Sequence, residues 1–120
     1  MKISGVKGMN DLLPAAVGRW QEMERVAREV FALYGYREVR TPAVEPAALF
    51  ARGVGEATDI VKKEMYVFED KGEERLALRP EATAGLVRAY IEHGCHVEGV
   101  QKWFLIGPMF RRERPQKGRY

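Results

Sequence analysis

The chain has 120 residues, of which 46% are hydrophobic and 31% are charged, the composition of an ordinary globular domain. This length allows one domain at most, whose folding removes roughly two thirds of the unfolded chain's surface from water. The sequence has no apolar run that could span a membrane and no secretory-type start, and its only cysteine, Cys95, excludes an internal disulfide framework. We therefore expect a cytoplasmic domain without membrane contact.

The positive charge of the chain is concentrated near its end. Five of the 20 Lys and Arg residues lie between Arg111 and Arg119 with only Glu113 as an acid, so this stretch carries +4 while the remainder carries −1. A protein that tracks a nucleic-acid backbone needs basic residues along a longer surface. Because guanidinium groups bind phosphate and carboxylate oxygens in a bidentate manner, the stretch predicts a small-anion site. A solvated basic tail is the alternative.

The first predicted element is a long helix over residues 17–34. Pro14 comes just before it and Gly35 just after it, where a left-handed cap is expected. The spacing of three and four residues predicts one buried apolar stripe on this helix. The stripe consists of Val17, Trp20, Met23, Ala27, Val30, Phe31 and Tyr34.

Two shorter elements are predicted next. Residues 36–41 combine aromatic, β-branched and charged side chains and end at Pro42, which predicts a strand that proline terminates. Pro46 then opens a short helical segment that ends near Gly53 and Gly55.

A hairpin follows, with strands over residues 65–68 and 75–78 around a polar loop that contains Asp70, Lys71 and Gly72. Pro80 stands where a second helix could begin, and Gly94 where that helix should end. Residues 101–106 form the last predicted strand. This order of helices and strands predicts an α+β domain with a largely antiparallel sheet and flanking helices.

His93, Cys95 and His96 cluster around Gly94, but their spacing matches none of the usual zinc arrangements. We interpret this cluster as a helix-ending turn and predict no protein-bound metal ion.

Several stretches of the chain resemble one family. Residues 35–42 are similar to motif 1 of the class II aminoacyl-tRNA synthetases, and residues 110–113 to the first half of their motif 2. Residues 7–14, 78–84 and 107–120 resemble the histidyl-tRNA synthetases in particular, and the resemblance covers essentially the whole chain. The residues that carry it are Lys7, Gly8, Met9, Asn10, Asp11, Leu13, Pro14, Gly35, Tyr36, Val39, Pro42, Leu78, Arg79, Pro80, Glu81, Ala82, Thr83, Ala84, Phe110, Arg111, Arg112 and Glu113.

The resemblance implies that residues 1–120 are the N-terminal part of a class II catalytic domain. Motif 1 would occupy about 17–45, a histidine-pocket segment 78–84, and the first half of motif 2 about 103–120. Motif 3 and the anticodon-binding domain would lie beyond Tyr120. The resemblance also implies a homodimer formed through the motif 1 region.

The implied function is that of a histidine–tRNA ligase. Such an enzyme uses ATP, with Mg²⁺, to activate histidine as histidyl-adenylate and then transfers the histidyl group to tRNA(His). We expect little or no activity from these 120 residues alone.

The resemblance assigns roles to five residues. Arg111 would be the catalytic arginine, which bridges the α-phosphate of ATP and the carboxylate of histidine. Glu81 and Thr83 would bind the α-amino group of histidine, while Arg111 would bind its carboxylate. Glu113 and Arg119 would bind ATP with Arg111, the former near adenine and the latter near the β and γ phosphates.

Each of these roles has a simpler alternative. Without the resemblance, Glu81 and Thr83 are first-turn residues of a helix, where an acidic side chain is favoured by the helix dipole. Glu113 could form an ion pair with Arg111 or Arg114, and Arg111 could be a surface arginine. Ala82 departs from the glycine that is common in the family, and we expect only a modest effect from its added methyl group.

Two other functions compete with the ligase. One is the regulatory subunit of ATP phosphoribosyltransferase, a non-catalytic paralogue with the same fold that binds histidine without activating it. Such paralogues generally lack the Arg79, Pro80, Glu81 pattern and the intact run 111–120. The other is a dimerisation or tRNA-contact module without chemistry of its own.

Overall fold

The computed structural model describes residues 1–51 and 63–113. The helices are α1 (Pro14–Leu33), α2 (Ala47–Ala51) and α3 (Thr83–Glu92), and a short 3₁₀ helix (Cys95–Glu98) follows α3. The strands are β1 (Arg37–Glu38), β2 (Val44–Pro46), β3 (Val67–Glu69), β4 (Arg75–Leu78) and β5 (Trp103–Phe104). The predicted α+β class is confirmed. Within the described ranges, no helix is both long and apolar enough to cross a membrane.

The strands form two small sheets. In the first, β4 lies between β2 and β3 and is antiparallel to both, with Ala77 opposite Glu45 on one side and Val67 on the other. In the second, β1 and β5 are parallel, with Glu38 opposite Phe104. The predicted antiparallel pairing is therefore correct for the larger sheet. The sequence analysis did not predict the parallel pair β1 and β5.

The predicted hairpin is confirmed as β3 and β4. Its loop closes through hydrogen bonds from the Glu73 amide to the Asp70 carbonyl and from the Asp70 amide to the Glu74 carbonyl. Glu73 has a φ of 67°, a left-handed conformation that costs a non-glycine residue energy and that this tight loop imposes.

The predicted short helix is present as α2, but it starts one residue after Pro46, and the sequence analysis did not find β2. Pro46 is the last residue of β2, opposite Leu76, and the short helix begins only at Ala47. A proline is tolerated there because β2 is an edge strand, whose outward amide positions need no partner. The predicted end of this helix near Gly53 and Gly55 lies outside the described residues.

The predicted strand over residues 36–41 is shorter in the structure, where it comprises only β1. Two flanking hydrogen bonds, from the Arg37 amide to the Lys102 carbonyl and from the Val39 amide to the Phe104 carbonyl, extend its pairing with the segment of β5. The predicted strand over residues 101–106 is likewise reduced to β5. Side-chain patterns mark which segments are extended, whereas a ladder requires a partner at the right distance.

The helix-ending glycines behave as predicted. Gly35 has a φ of 78° and follows α1, and Gly94 has a φ of 61° and follows α3. Gly94 places the His93, Cys95 and His96 cluster in a turn, as expected. Pro80, in contrast, does not begin α3, because its first helical residue is Thr83.

The main core packs beneath the larger sheet. Phe50 of α2, Met65 and Ala77 of β4 are buried together, so α2 and the hairpin share one apolar interior. Partly buried side chains complete this core: Ala47, Leu49, Val67 and Ala84.

The stripe of α1 is not buried, contrary to the prediction. No residue of this helix is buried against the rest of the described chain, and Trp20, Met23 and Val30 are exposed. The ring of Phe31 stacks on that of Phe104 with centroids 4.5 Å apart, which fixes the C-terminal end of the helix on β5. Among the other stripe residues, Val17 and Ala27 are half-buried and the rest are exposed in the described part of the chain.

A buried ion pair joins β2 to α3. Glu45 is 3% exposed, and its two carboxylate oxygens accept hydrogen bonds from Nε and Nη2 of Arg88 at 2.7 Å each. Nη1 of Arg88 also donates to Glu92 at 2.6 Å. The hydrogen bonds to the Glu45 carboxylate raise the pKa of Arg88 above its ordinary value, and desolvation opposes part of this effect. The bidentate geometry compensates the cost of burying Glu45.

We predict that Glu45→Gln lowers the free energy of unfolding by about 3 kcal/mol, because it removes the buried carboxylate that pairs with Arg88 and leaves only the exposed Glu92 as its counter-charge. The measurement is urea unfolding followed by circular dichroism. The matched control is Glu29→Gln, which removes an exposed pair with Arg25 and should leave the urea midpoint unchanged. Equal midpoints for the two variants would contradict this account.

A second prediction concerns pH. The pKa of Glu38 lies below its ordinary value because its carboxylate accepts hydrogen bonds from Arg28, which has the larger effect, and from Arg40. A depressed folded-state pKa contributes stability that is present above the unfolded-state pKa and is lost as pH falls through the folded-state pKa. In an NMR titration, Arg28→Gln should move the Glu38 midpoint upward. Arg25→Gln, on the same helix, should leave it in place.

Candidate active site

The segments that follow β4 and β5 run side by side. The Phe110 amide donates to the Arg79 carbonyl at 2.9 Å, and Nε of Arg111 donates to the Pro80 carbonyl at 2.9 Å. In return, Nε of Arg79 donates to the Pro108 carbonyl at 3.0 Å. These three hydrogen bonds bring the predicted histidine-pocket segment next to the predicted motif 2 arginine.

Arg79 is a buried cation held by oxygen atoms of the chain. Its side chain is 6% exposed, and Nη1 donates to the Thr41 carbonyl at 3.1 Å and to the Thr41 hydroxyl at 3.4 Å. No carboxylate pairs with it in residues 1–51 or 63–113. Charge-assisted hydrogen bonds to carbonyls therefore replace a counter-ion. Sequence reasoning missed this role, because Arg79 has no local signal that predicts burial.

Gly107 is required for this arrangement. A Cβ atom at residue 107 would lie 2.6 Å from Nη2 of Arg79 and 3.5 Å from Cδ2 of Leu105. The guanidinium cannot easily withdraw, because its Nε and Nη1 atoms are already bound to Pro108 and Thr41. The absence of a side chain at Gly107 lets the cation lie against the backbone.

Arg111 and Glu113 contact each other in the structure. Nη1 of Arg111 donates to Oε1 of Glu113 at 3.4 Å, which agrees with the ion-pair alternative for Glu113. The Arg111 side chain is 50% exposed, so the hydrogen bond from its Nε fixes the base of the guanidinium while its outer edge faces solvent. Within the described chain, Nη2 of Arg111 has no hydrogen-bond partner. Arg119 and Arg114 lie outside the described residues.

Glu81 caps the N-terminus of α3. Its carboxylate accepts hydrogen bonds from the Thr83 amide at 2.6 Å and the Ala84 amide at 3.2 Å. This is the helix-start interpretation of Glu81, and the negative charge is favoured there by the helix dipole. Thr83 is exposed and is the first residue of the helix. The histidine-binding role of both residues stays a prediction.

A broad cleft opens beside Arg111. Its walls are the N-terminal segment 7–12, one side of α1 and the segment 106–113. The residues of α1 in this wall include Trp20, Met23 and Ala27 of the exposed stripe. Arg111 and Glu113 line this cleft, whereas Glu81 and Thr83 do not. The sequence did not predict that the N-terminal segment would face the arginines.

Tyr66 supports the segment that carries the arginines. The guanidinium of Arg112 lies 5.6 Å from the centre of the Tyr66 ring, and the Arg112 amide donates to the Glu64 carbonyl at 2.6 Å. Tyr66 also lines the cleft. Arg112 thus contacts the hairpin, whereas Arg111 is bound to Pro80.

Comparisons with known proteins place the chain in a family. The family model described as histidyl-tRNA synthetase matches residues 8–120. The chain belongs to the histidyl-tRNA synthetase family. A histidine–tRNA ligase of Anaeromyxobacter sp. (strain K) is 86% identical over 120 residues, which are 100% of this chain and 29% of that protein. The chain thus spans 29% of the length of this ligase and of other curated relatives that it matches.

Solved structures agree with the family in fold. Apo histidyl-tRNA synthetase of S. aureus superposes with a TM-score of 0.79 at 40% identity and covers 92% of this chain and 30% of its own. A protein from Bacillus halodurans, described as an ATP phosphoribosyltransferase regulatory subunit/histidyl-tRNA synthetase, superposes with a TM-score of 0.78 at 21% identity. That match covers 95% of this chain and 29% of the other, and it supports the fold alone.

Ala82, which precedes α3 in the predicted histidine-pocket segment, adopts a right-handed conformation with φ −99° and ψ −23°. A glycine offers no backbone advantage in this conformation. We therefore predict that Ala82→Gly changes the affinity for histidine by less than about threefold, with isothermal titration calorimetry as the measurement. The control is Ala84→Gly within α3, which should lower helix stability by about 1 kcal/mol. A tenfold change in affinity from Ala82→Gly would contradict this account.

Proposed function

We propose that the protein acts as a histidine–tRNA ligase that activates histidine with ATP and transfers it to tRNA(His). The observation that carries this proposal is the half-exposed guanidinium of Arg111, which Pro80 holds at Nε and which faces an open cleft. The match of the family model to residues 8–120 supports it.

Arg111 supplies the positive charge that two anionic reactants need in the first step. The histidine carboxylate must approach the α-phosphate of ATP, and two unit charges at about 4 Å repel by about 4 kcal/mol at an effective dielectric constant of 20. A planar cation between them can donate to both groups, and its Nη2 has no partner in the described chain. The proposed role of Arg111 is therefore to position both reactants and to stabilise the charge at phosphorus without a protein nucleophile.

Glu81 and Thr83 supply acceptors for the histidine ammonium group. A carboxylate has about four lone-pair sites, so the hydrogen bonds from the Thr83 and Ala84 amides leave acceptor capacity on Glu81. The cap fixes the direction of that carboxylate, and the bond from Arg111 to Pro80 links it to the arginine. In this proposal, the two ends of histidine are bound by neighbouring segments.

Glu113 and Arg119 complete the proposed ATP site. The Glu113 carboxylate would accept a hydrogen bond from the exocyclic amine of adenine, and Arg119 would contact the β and γ phosphates. We propose that Mg²⁺ enters with ATP, held mainly by phosphate and water oxygens. Within residues 1–51 and 63–113, no group of three or more His, Cys, Asp or Glu side chains is arranged as a metal site.

The proposal includes a homodimer. The exposed stripe of α1 and the adjoining strand β1 form motif 1 in this assignment, and apolar residues such as Met23 and Leu33 suit a helix that pairs with a second subunit. We therefore propose a class II homodimer that works in the cytoplasm.

The test is histidine-dependent exchange of pyrophosphate into ATP by the protein as its gene encodes it. We expect Arg111→Lys to lower kcat by about a hundredfold or more, because a lysine cannot bridge two anions with a fixed fork. Arg75→Lys, at an exposed position of β4, is the control and should leave the exchange rate unchanged.

The outcomes separate the competing functions. A protein that binds histidine but shows no exchange and no histidylation of tRNA(His) would instead match the regulatory-subunit alternative. A dimer that binds neither histidine nor ATP would match the contact-module alternative.

A further inference from the structure

We propose that Arg79 is a positioning residue that sets the place and orientation of Arg111, and that Gly107 is its necessary counterpart. This inference rests on the proposed ligase function and assigns a part in it to a side chain that does not reach the cleft. Arg79 is absent from the cleft wall and acts through the segment that carries Arg111.

Three separate parts of the chain meet at Arg79. Its Nη1 binds Thr41, between β1 and β2, and its Nε binds Pro108, beyond β5. Its own amide donates to the Ala43 carbonyl at 2.8 Å, which continues the pairing of β2 with β4. One side chain thereby joins the end of the antiparallel sheet to the ends of the parallel pair.

The contacts continue directly to Arg111. The Arg79 carbonyl accepts the Phe110 amide, and the Pro80 carbonyl accepts Nε of Arg111. The segment from Pro108 to Arg111 is therefore held at both ends by residues 79 and 80. When the Pro108 contact is lost, the Phe110 and Arg111 contacts alone must hold this segment.

The chemistry requires an arginine at this position. The two acceptors lie in different directions, and only a planar guanidinium offers Nε and Nη donors with a fixed angle between them. A lysine retains the charge but presents one nitrogen on a flexible stem. It could bind Thr41 or Pro108 but could not hold both at a set separation.

Stability alone is a weak reason for such a residue. A buried cation without a carboxylate partner costs desolvation energy, and an apolar side chain of similar volume often serves the interior as well or better. Small displacements of a catalytic group, in contrast, reduce rates strongly, so a rigid support has value in the active site. Placement of Arg111 gives the buried charge of Arg79 a function.

The kinetic test is a double-mutant cycle in pyrophosphate exchange, with each rate divided by the concentration of functional sites from active-site titration. We expect Arg79→Lys to lower kcat about 10- to 100-fold with less than a threefold change in KM for histidine. If Arg79 acts through Arg111, the double variant Arg79→Lys with Arg111→Lys should be no slower than Arg111→Lys alone. Multiplicative effects would overturn the proposal.

A second measurement does not depend on activity. The Nε–H group of Arg111 is hydrogen-bonded to Pro80, so its NMR signal should be resolved and slow to exchange with solvent. Arg79→Lys should shift this signal to the position and exchange rate of a solvated arginine. An unchanged signal would overturn the proposal, even in a protein that lacked ligase activity.

Two further variants separate positioning from general stability. Gly107→Ala keeps Arg79 but displaces its guanidinium, so it should reproduce the loss of kcat and the change in the Arg111 signal, and it serves if Arg79→Lys does not fold. Arg88→Lys weakens the contact of this half-buried arginine with the buried Glu45 and should lower the unfolding midpoint without a change in kcat per functional site. If Arg88→Lys lowers kcat as much as Arg79→Lys, the role of Arg79 is general stability and the proposal is wrong.

Discussion

The guanidinium of Arg79, bound to the carbonyls of Thr41 and Pro108, is the contact on which the proposed placement of Arg111 depends. It lies where the antiparallel sheet ends and where both strands of the parallel pair have also ended. The strands are short, so backbone ladders alone give each sheet few hydrogen bonds. A buried cation that draws three chain segments together supplies the connection, and Gly107 leaves the space that it needs.

The buried and the exposed arginines contribute to the protein in different ways. Arg88 donates hydrogen bonds to both oxygens of a carboxylate, and Arg79 donates to backbone carbonyls. These bonds compensate the loss of hydration of each cation. The pairs of Arg25 along α1 are exposed, and solvent screens them. Arg111 lies between these extremes. Its base is fixed and its outer edge is open, which suits a group that must bind anions without reorganising.

The exposed stripe of α1 and the cleft beside Arg111 share residues. Trp20 and Met23 belong to both, so the helix assigned to motif 1 also forms a wall of the proposed active site. In the proposed dimer, a shift of α1 would therefore alter the cleft. This arrangement gives a physical reason why subunit pairing and catalysis would depend on one helix, whose Phe31 ring stacks on Phe104 of β5.

The sequence by itself determined the long helix, the hairpin, the turns at Gly35 and Gly94 and the family, because periodicity, capping and motif spacing are local properties. It also identified Arg111 and Glu113 as neighbours. Only the tertiary structure decided that β1 and β5 are parallel, that Pro46 closes an edge strand, that the stripe of α1 is uncovered, and that Glu81 caps α3. It alone revealed Arg79, since burial and hydrogen bonds across 29 and 38 residues depend on which distant segments meet.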